Sequence, residues 1–274
     1  MAVTQAPPAR SLAPRPVPSF GRRTRGLLFS EWTKFRSVRS SFWALALTAV
    51  TALGGSGVIA VSSALANKGS GLPLDPMASI FFAWLEYPVL AVGVLGVLAF
   101  GSECNTGQIR TTFSAVPQRA TVLAAKASVL GAVVLVLGEA LAFGSFFLSQ
   151  AVLAAHHSEL SLARPGEVRA VLAGGFSLFV VAMVGLGLGA IIRHTAGAVA
   201  ALPAVLYLPL LVLSLPSPWA DRIGSYTILM SAYQLVSLHR QPGLLAPALS
   251  LVVLVAWPAV LLVTGAIATK RRDA

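Results

Sequence analysis

Six stretches of this chain stay apolar long enough to cross a bilayer: Phe42 to Ala66, Met77 to Phe100, about Thr121 to Ala155, Ala170 to Ile192, Thr195 to Pro216, and Leu244 to Thr269. Crossing ~30 Å of hydrocarbon takes roughly 20 apolar residues in a helix. Four of the stretches hold no charge, while the second holds Glu86 and the third holds Lys126 and Glu139. The fourth and fifth are parted only by Arg193 and His194, which predicts a tight helical hairpin. The pattern therefore predicts an all-α polytopic membrane protein with six transmembrane helices.

Two further segments carry a helical period without the length to span. Before and into the first span, over Arg25 to Trp43, Leu28, Trp32, Phe35, Val38 and Phe42 recur at steps of three and four, with Glu31, Lys34 and Arg36 on the opposite side. This predicts an amphipathic helix lying in the membrane interface, basic side toward lipid phosphates and Trp32 and Trp43 at headgroup depth. Ser30 is a candidate cap, unless the helix already runs from Arg25. Between the second and third spans, Ile109, Phe113 and Val116 stand at i, i+4 and i+7. A short helix there has no obvious place in its own chain to bury that face, so it is either embedded in the interface or offered to a partner.

Composition agrees with the pattern: 56% of the 274 residues are hydrophobic, 11% are charged, and the mean hydropathy is +0.81. That excludes a soluble enzyme. The net charge of +11 would suggest nucleic acid in a soluble protein, but the placement of the charges argues otherwise. With an internal N-terminus, fifteen of the twenty Lys and Arg fall in cytoplasmic segments; the other five, Lys68, Arg164, Arg169, Arg222 and Arg240, fall outside. Basic residues are retained inside, so both termini are expected in the cytoplasm and the charge reads as topology and lipid contact, not nucleic-acid binding. Residues 1–23, with five prolines before residue 20, read as a disordered tail and not as a secretory signal. Residues 270–274 form a second cytoplasmic tail. The single cysteine, Cys104, excludes an intrachain disulfide or a cysteine metal cluster.

The order of these segments resembles the permease subunits of type-2 ABC transporters. The resemblance rests on Glu31-Trp-Thr-Lys-Phe-Arg-Ser-Val-Arg39 before the first span and on Glu103, Thr106-Gly-Gln-Ile-Arg110, Pro117, Arg119 and Lys126 after the second. It implies that residues 24–41, with Glu31, Trp32, Lys34, Phe35 and Arg36, form an interfacial elbow helix. It also implies that the loop 101–119 carries a short cytoplasmic coupling helix that docks on an ATPase, through Glu103, Gly107, Ile109, Arg110, Phe113, Pro117 and Arg119. Gln108 stands where many relatives have Thr. The stretch Asp221 to Gly243, with Ile228, Leu229, Ala232, Leu235 and Val236 in helical register, would form short re-entrant or interfacial helices on the outer face, and Trp219, Tyr226 and Tyr233 suit an interface.

The chain holds no Gly-x-x-x-x-Gly-Lys-Ser/Thr loop of the kind that cradles nucleotide phosphates. No enzyme activity and no cofactor are therefore expected in this chain, with ATP and Mg2+ expected on a separate ABC ATPase subunit. Gly185-Leu-Gly-Leu-Gly189 lies inside a span and has the spacing for close helix packing. His156 and His157 are adjacent and His194 and His239 isolated, so no metal spacing exists. Glu86 and Glu139 are costly in hydrocarbon and mark either a pathway or a buried structural contact. The leading expectation is an exporter permease in the bacterial plasma membrane, homodimeric or paired with a similar permease. The alternative is a proton-coupled secondary transporter using Glu86 and Glu139; a membrane scaffold or enzyme-like intramembrane protein ranks third, since paired catalytic residues are lacking.

Overall fold

In the computed structural model, the described residues are 20–66, 81, 84, 87–115, 118–154, 162–214, 219–239 and 243–271. Among them the chain is helical, and six helices are long and apolar enough to span a membrane. The chain is an all-α, multi-pass membrane protein. The first span is α2 (Arg39–Ala66), preceded by the amphipathic α1 (Phe20–Ser37) across a break at Val38. The second is α3 (Tyr87–Asn105), followed by the short α4 (Gln108–Ala115) and the third span, α5 (Arg119–Ala154). The hairpin of α6 (Glu167–Ile192) and α7 (Thr195–Tyr207) comes next, with α7 tightening into a 3-10 segment over Leu208–Ser214. Two short helices, α8 (Trp219–Gly224) and α9 (Ile228–Val236), precede the last span, α10 (Pro247–Arg271).

Most boundaries fall within a few residues of the apolar runs, and the exceptions have local causes. The helix of the second span is described from Tyr87, the residues around the expected start at Met77 lying outside the described residues, and Pro88 is in its first turn, a position where a missing N–H costs nothing. The preceding stretch contributes Phe81 and Trp84, which are buried and pack edge to face. Trp84 Nε1 donates to Ser56 Oγ of α2 at 2.9 Å, and the Phe81 ring fills the space above Gly174 of α6. The fifth span loses α-helical form where Pro209 removes an N–H from the ladder.

The hairpin turn is built from the two residues that separate the runs. Arg193 adopts a left-handed conformation (φ 58°) and its N–H donates to Gly189 O at 3.0 Å, closing α6. His194 caps α7, its Nδ1 accepting from the Gly197 N–H at 3.2 Å.

The core is organised around α6, which packs against α3, α5 and α10. Of its most apolar 18 residues 78% are buried, against 17% in the corresponding stretches of the fifth and sixth spans, which leaves the latter two on the outside of the bundle. Small residues make this central position possible. A methyl group at Gly96 of α3 would collide with the Ala182 carbonyl, and one at Gly185 of α6 with the Gly93 carbonyl. Gly187, on the opposite side of α6, meets the Leu261 backbone of α10. The glycine run 185–189 thus serves two helix crossings at once, the close approach that small residues permit within a bilayer.

Candidate functional site

Two polar sites stand out in this apolar frame, one at the end of the bundle and one within it. The first lies at the end that carries α1, the hairpin turn 193–194 and the last turn of α10, referred to here as the basic end. Lys126 sits seven residues into α5, about 10 Å from its start, and is 4% exposed. Its Nζ lies 2.6 Å from Glu103 Oε1, near the end of α3, and 2.7 Å from Glu31 Oε2 of α1. Lys34 Nζ lies 3.0 Å from the other Glu31 oxygen and 3.0 Å from Glu103 Oε1. Both lysines touch both glutamates, so the four charges close into a neutral ring that joins α1, α3 and α5.

Burial alone would pull the Lys34 ammonium down, but hydrogen bonds and charge from Glu31 and Glu103 outweigh it and hold the group above the ordinary lysine value of 10.5. Two cations balanced against two anions are what make three nearly dry charges tolerable. The ring lines a cavity of about 210 Å³ whose other walls include Phe35, Leu95, Leu98, Gln108 and Leu130. Glu103 Oε2 is buried without a hydrogen-bond partner among the described residues.

The ring inverts the orientation expected for the first helix. Leu27 and Glu31 face the bundle, while Leu28, Phe29, Trp32 and Val38 are exposed. Lys34 and Glu31 therefore turn inward, not toward lipid headgroups, and only Arg36 keeps the expected exposed position. Phe35 is half-buried against the core. The cause is electrostatic: the charges of α1 find opposite charges in α3 and α5, and the apolar stripe is left to the lipid. Ser30 is not a cap, since its hydroxyl donates to Leu27 O inside a helix already under way.

The loop after the second span is also turned inward at several expected docking positions. Glu103 belongs to the ring. Gly107 has φ 73°, a left-handed turn that separates α3 from α4 without strain only because it is glycine. Ile109 is 8% exposed and joins the chain's own core, a correction to the expectation that this face has nothing of its own to bury against. Arg119 Nη1 donates to Thr269 O at 2.8 Å, tying the start of α5 to the end of α10. Gln108, Thr111 and Ser114 form the exposed side of α4. Arg110 and Phe113 lie on the same helix; Pro117 lies outside the described residues.

The second site is Glu139, about 30 Å along α5 from Arg119. The helix crossing beneath it is tight, because Gly138 meets the Gly175 backbone of α6 and the Glu139 side chain lies across Gly175 itself. Glu139 Oε2 is buried and no donor meets it among the described residues. The carboxylate borders a groove of about 500 Å³ lined by Arg169, Leu172, Phe176, Leu235 and Leu251, among others, from α6, α9 and α10. Arg169 Nη2 is engaged by Ser237 O at 2.8 Å. Glu86, the other acidic residue expected in a span, lies outside the described residues.

The stretch 221–243 does form two short helices. Ile228, Leu229, Ala232, Leu235 and Val236 are all buried, so α9 is packed against α6 and α10 and not laid on a surface. Thr227 caps it, accepting from the Met230 N–H at 3.3 Å, and Trp257 Nε1 fixes the preceding turn by donating to Tyr226 O at 3.0 Å. Tyr226 is exposed, as an interface residue should be, whereas Tyr233 packs against the core.

Sequence reasoning named all four members of the ring but not their pairing. The available signal was Lys126: a lysine inside an apolar run requires a carboxylate, and Glu31 and Glu103 are the acidic residues flanking neighbouring spans at the same end. The groove beside Glu139 had no signal, since its lining comes from four helices. No family model matches this sequence, and no curated protein matches it either. What the fold and sites define is therefore a class, a six-span helical membrane protein with a charge ring at one end and, farther along α5, a carboxylate at Glu139 that no donor meets among the described residues.

Proposed function

We propose that this chain is the membrane subunit of an ATP-driven transporter of the type-2 ABC class, an exporter in the plasma membrane with both termini in the cytoplasm. ATP and Mg2+ are bound by a separate ATPase subunit, and two copies of this chain, or this chain and a similar permease, make the path. The observation that carries the reading is the charge ring. It ties α1, the end of α3 and the start of α5 into one rigid unit, and α4 hangs from that unit by the Gly107 turn. A force applied to α4 by a partner would reach two spans and the elbow together, as a rigid-body transition requires.

Docking falls to the exposed side of α4, since Ile109 is engaged inside. The direct test is purification in mild detergent with ABC ATPases from the same cell, reading ATP hydrolysis in the complex. A stable, hydrolysing complex that is lost in Thr111→Arg/Ser114→Arg, with the variant still folded, is the expected result. A monodisperse chain that retains no ATPase would overturn the proposal.

The lone carboxylate Glu139 favours a second reading, proton-coupled secondary transport. Transport abolished by collapse of the proton gradient yet indifferent to ATP depletion would select it.

A further inference from the structure

Glu139 and its groove have a composition that points to a ligand. The groove has the size of a small-molecule site, for which roughly 300–1,000 Å³ is usual, and its surface is almost wholly apolar apart from the carboxylate and Arg169. Leu172 and Leu251 on its walls are each 45% exposed, so the groove opens on the apolar flank of the bundle. A carboxylate bordering such a space is costly without a cation or donor, and among the described residues none meets Oε2. Arg169 lines the same groove but forms no ion pair with Glu139; its Nη2 donates instead to Ser237 O at 2.8 Å.

We propose that this groove binds lipophilic cations entering from the surrounding lipid, the positive centre against Glu139 and the apolar body along Leu172, Phe176, Leu235 and Leu251. Phe176 adds an aromatic ring to the wall and is stacked on Phe179 at 5.5 Å, which holds it in place. An anion of the same size and greasiness is repelled by the carboxylate, and the Arg169 guanidinium on the same groove is engaged by Ser237 O, so charge sign separates this site from general apolar adsorption. To call the occupant cargo rests on the permease reading; that it binds does not.

The test is equilibrium binding of radiolabelled tetraphenylphosphonium to the full chain in lipid nanodiscs, without any ATPase, beside the nearly isosteric anion tetraphenylborate. Saturable binding of the cation alone is expected, weakened about tenfold or more by Glu139→Gln and largely kept by Glu139→Asp. Leu172→Trp with Ala248→Trp, which fills the groove but leaves the carboxylate, should also weaken it, and it stands in if the glutamine variant does not fold. Equal affinity in wild type and both variants, saturable binding of both ions, or no saturable binding at all would overturn the proposal. Cation binding intact in a chain that assembles with no ATPase would strike the permease reading and leave this site standing.

Discussion

The chain's charges near or within the bilayer are treated in two opposite ways. At the basic end, Glu31, Lys34, Glu103 and Lys126 arrive from three helices and neutralise one another within 3.0 Å. Farther along the same helix that supplies Lys126, Glu139 borders a groove and, among the described residues, has no ion-pair partner and no donor at Oε2. A charge-balanced ring specifies how helices assemble, whereas a carboxylate without an ion-pair partner is a standing cost that assembly does not explain. The difference separates a structural polar site from one open to a ligand.

The largest effect should come from opening the ring at its driest corner. Lys126→Met leaves two buried glutamates with only the half-exposed Lys34 between them, a loss of about 3–5 kcal/mol; the expected outcome is poor yield of monodisperse protein in detergent. Partial rescue by adding Glu103→Gln and Glu31→Gln would sharpen the case, because it removes the stranded charge.

Next comes the glycine crossing that sets the frame for both sites. Gly185→Leu forces a side chain onto the Gly93 carbonyl and should cost about 1–3 kcal/mol or more, read as a lower thermal midpoint. Gly54→Leu, at a site with open space around it, is the control and should change little.

Glu139→Gln should leave stability unchanged or slightly raised, since no partner among the described residues is lost. A fall in thermal midpoint comparable with that of Lys126→Met would erase the contrast between the two sites.

The smallest effect belongs to Lys34, the half-exposed corner of the ring. Lys34→Met should cost no more than about 1 kcal/mol, given solvent screening. Its folded value lies above 10.5, so its contribution is complete below that pH and is lost as the pH climbs through the folded value. The gap in thermal midpoint between wild type and Lys34→Met should therefore close only in strongly alkaline buffer.

The spans were legible because a crossing helix must be apolar over its whole length, a constraint that leaves a mark at nearly every position. The hairpin between α6 and α7 was legible for the same reason, with Arg193 and His194 the only polar interruption. The facing of α1 was not. Its stripe of Leu28, Trp32 and Phe35 fits either an elbow with its charges outward or the observed one with Glu31 and Lys34 inward, and the choice depends on where Glu103 and Lys126 stand. Ile109 failed for a related reason: helical period tells that one face of α4 is apolar, not whether the chain itself covers it.

The sequence by itself determined the number of spans, the helical class and the separation of basic from apolar segments, since the hydrocarbon layer imposes these residue by residue. Only the tertiary structure decided which charges pair, which face of the first helix turns inward, and that Glu139 borders a groove. Those outcomes depend on groups from three or four helices meeting at distances near 3 Å, and no local pattern in one helix carries the positions of the others.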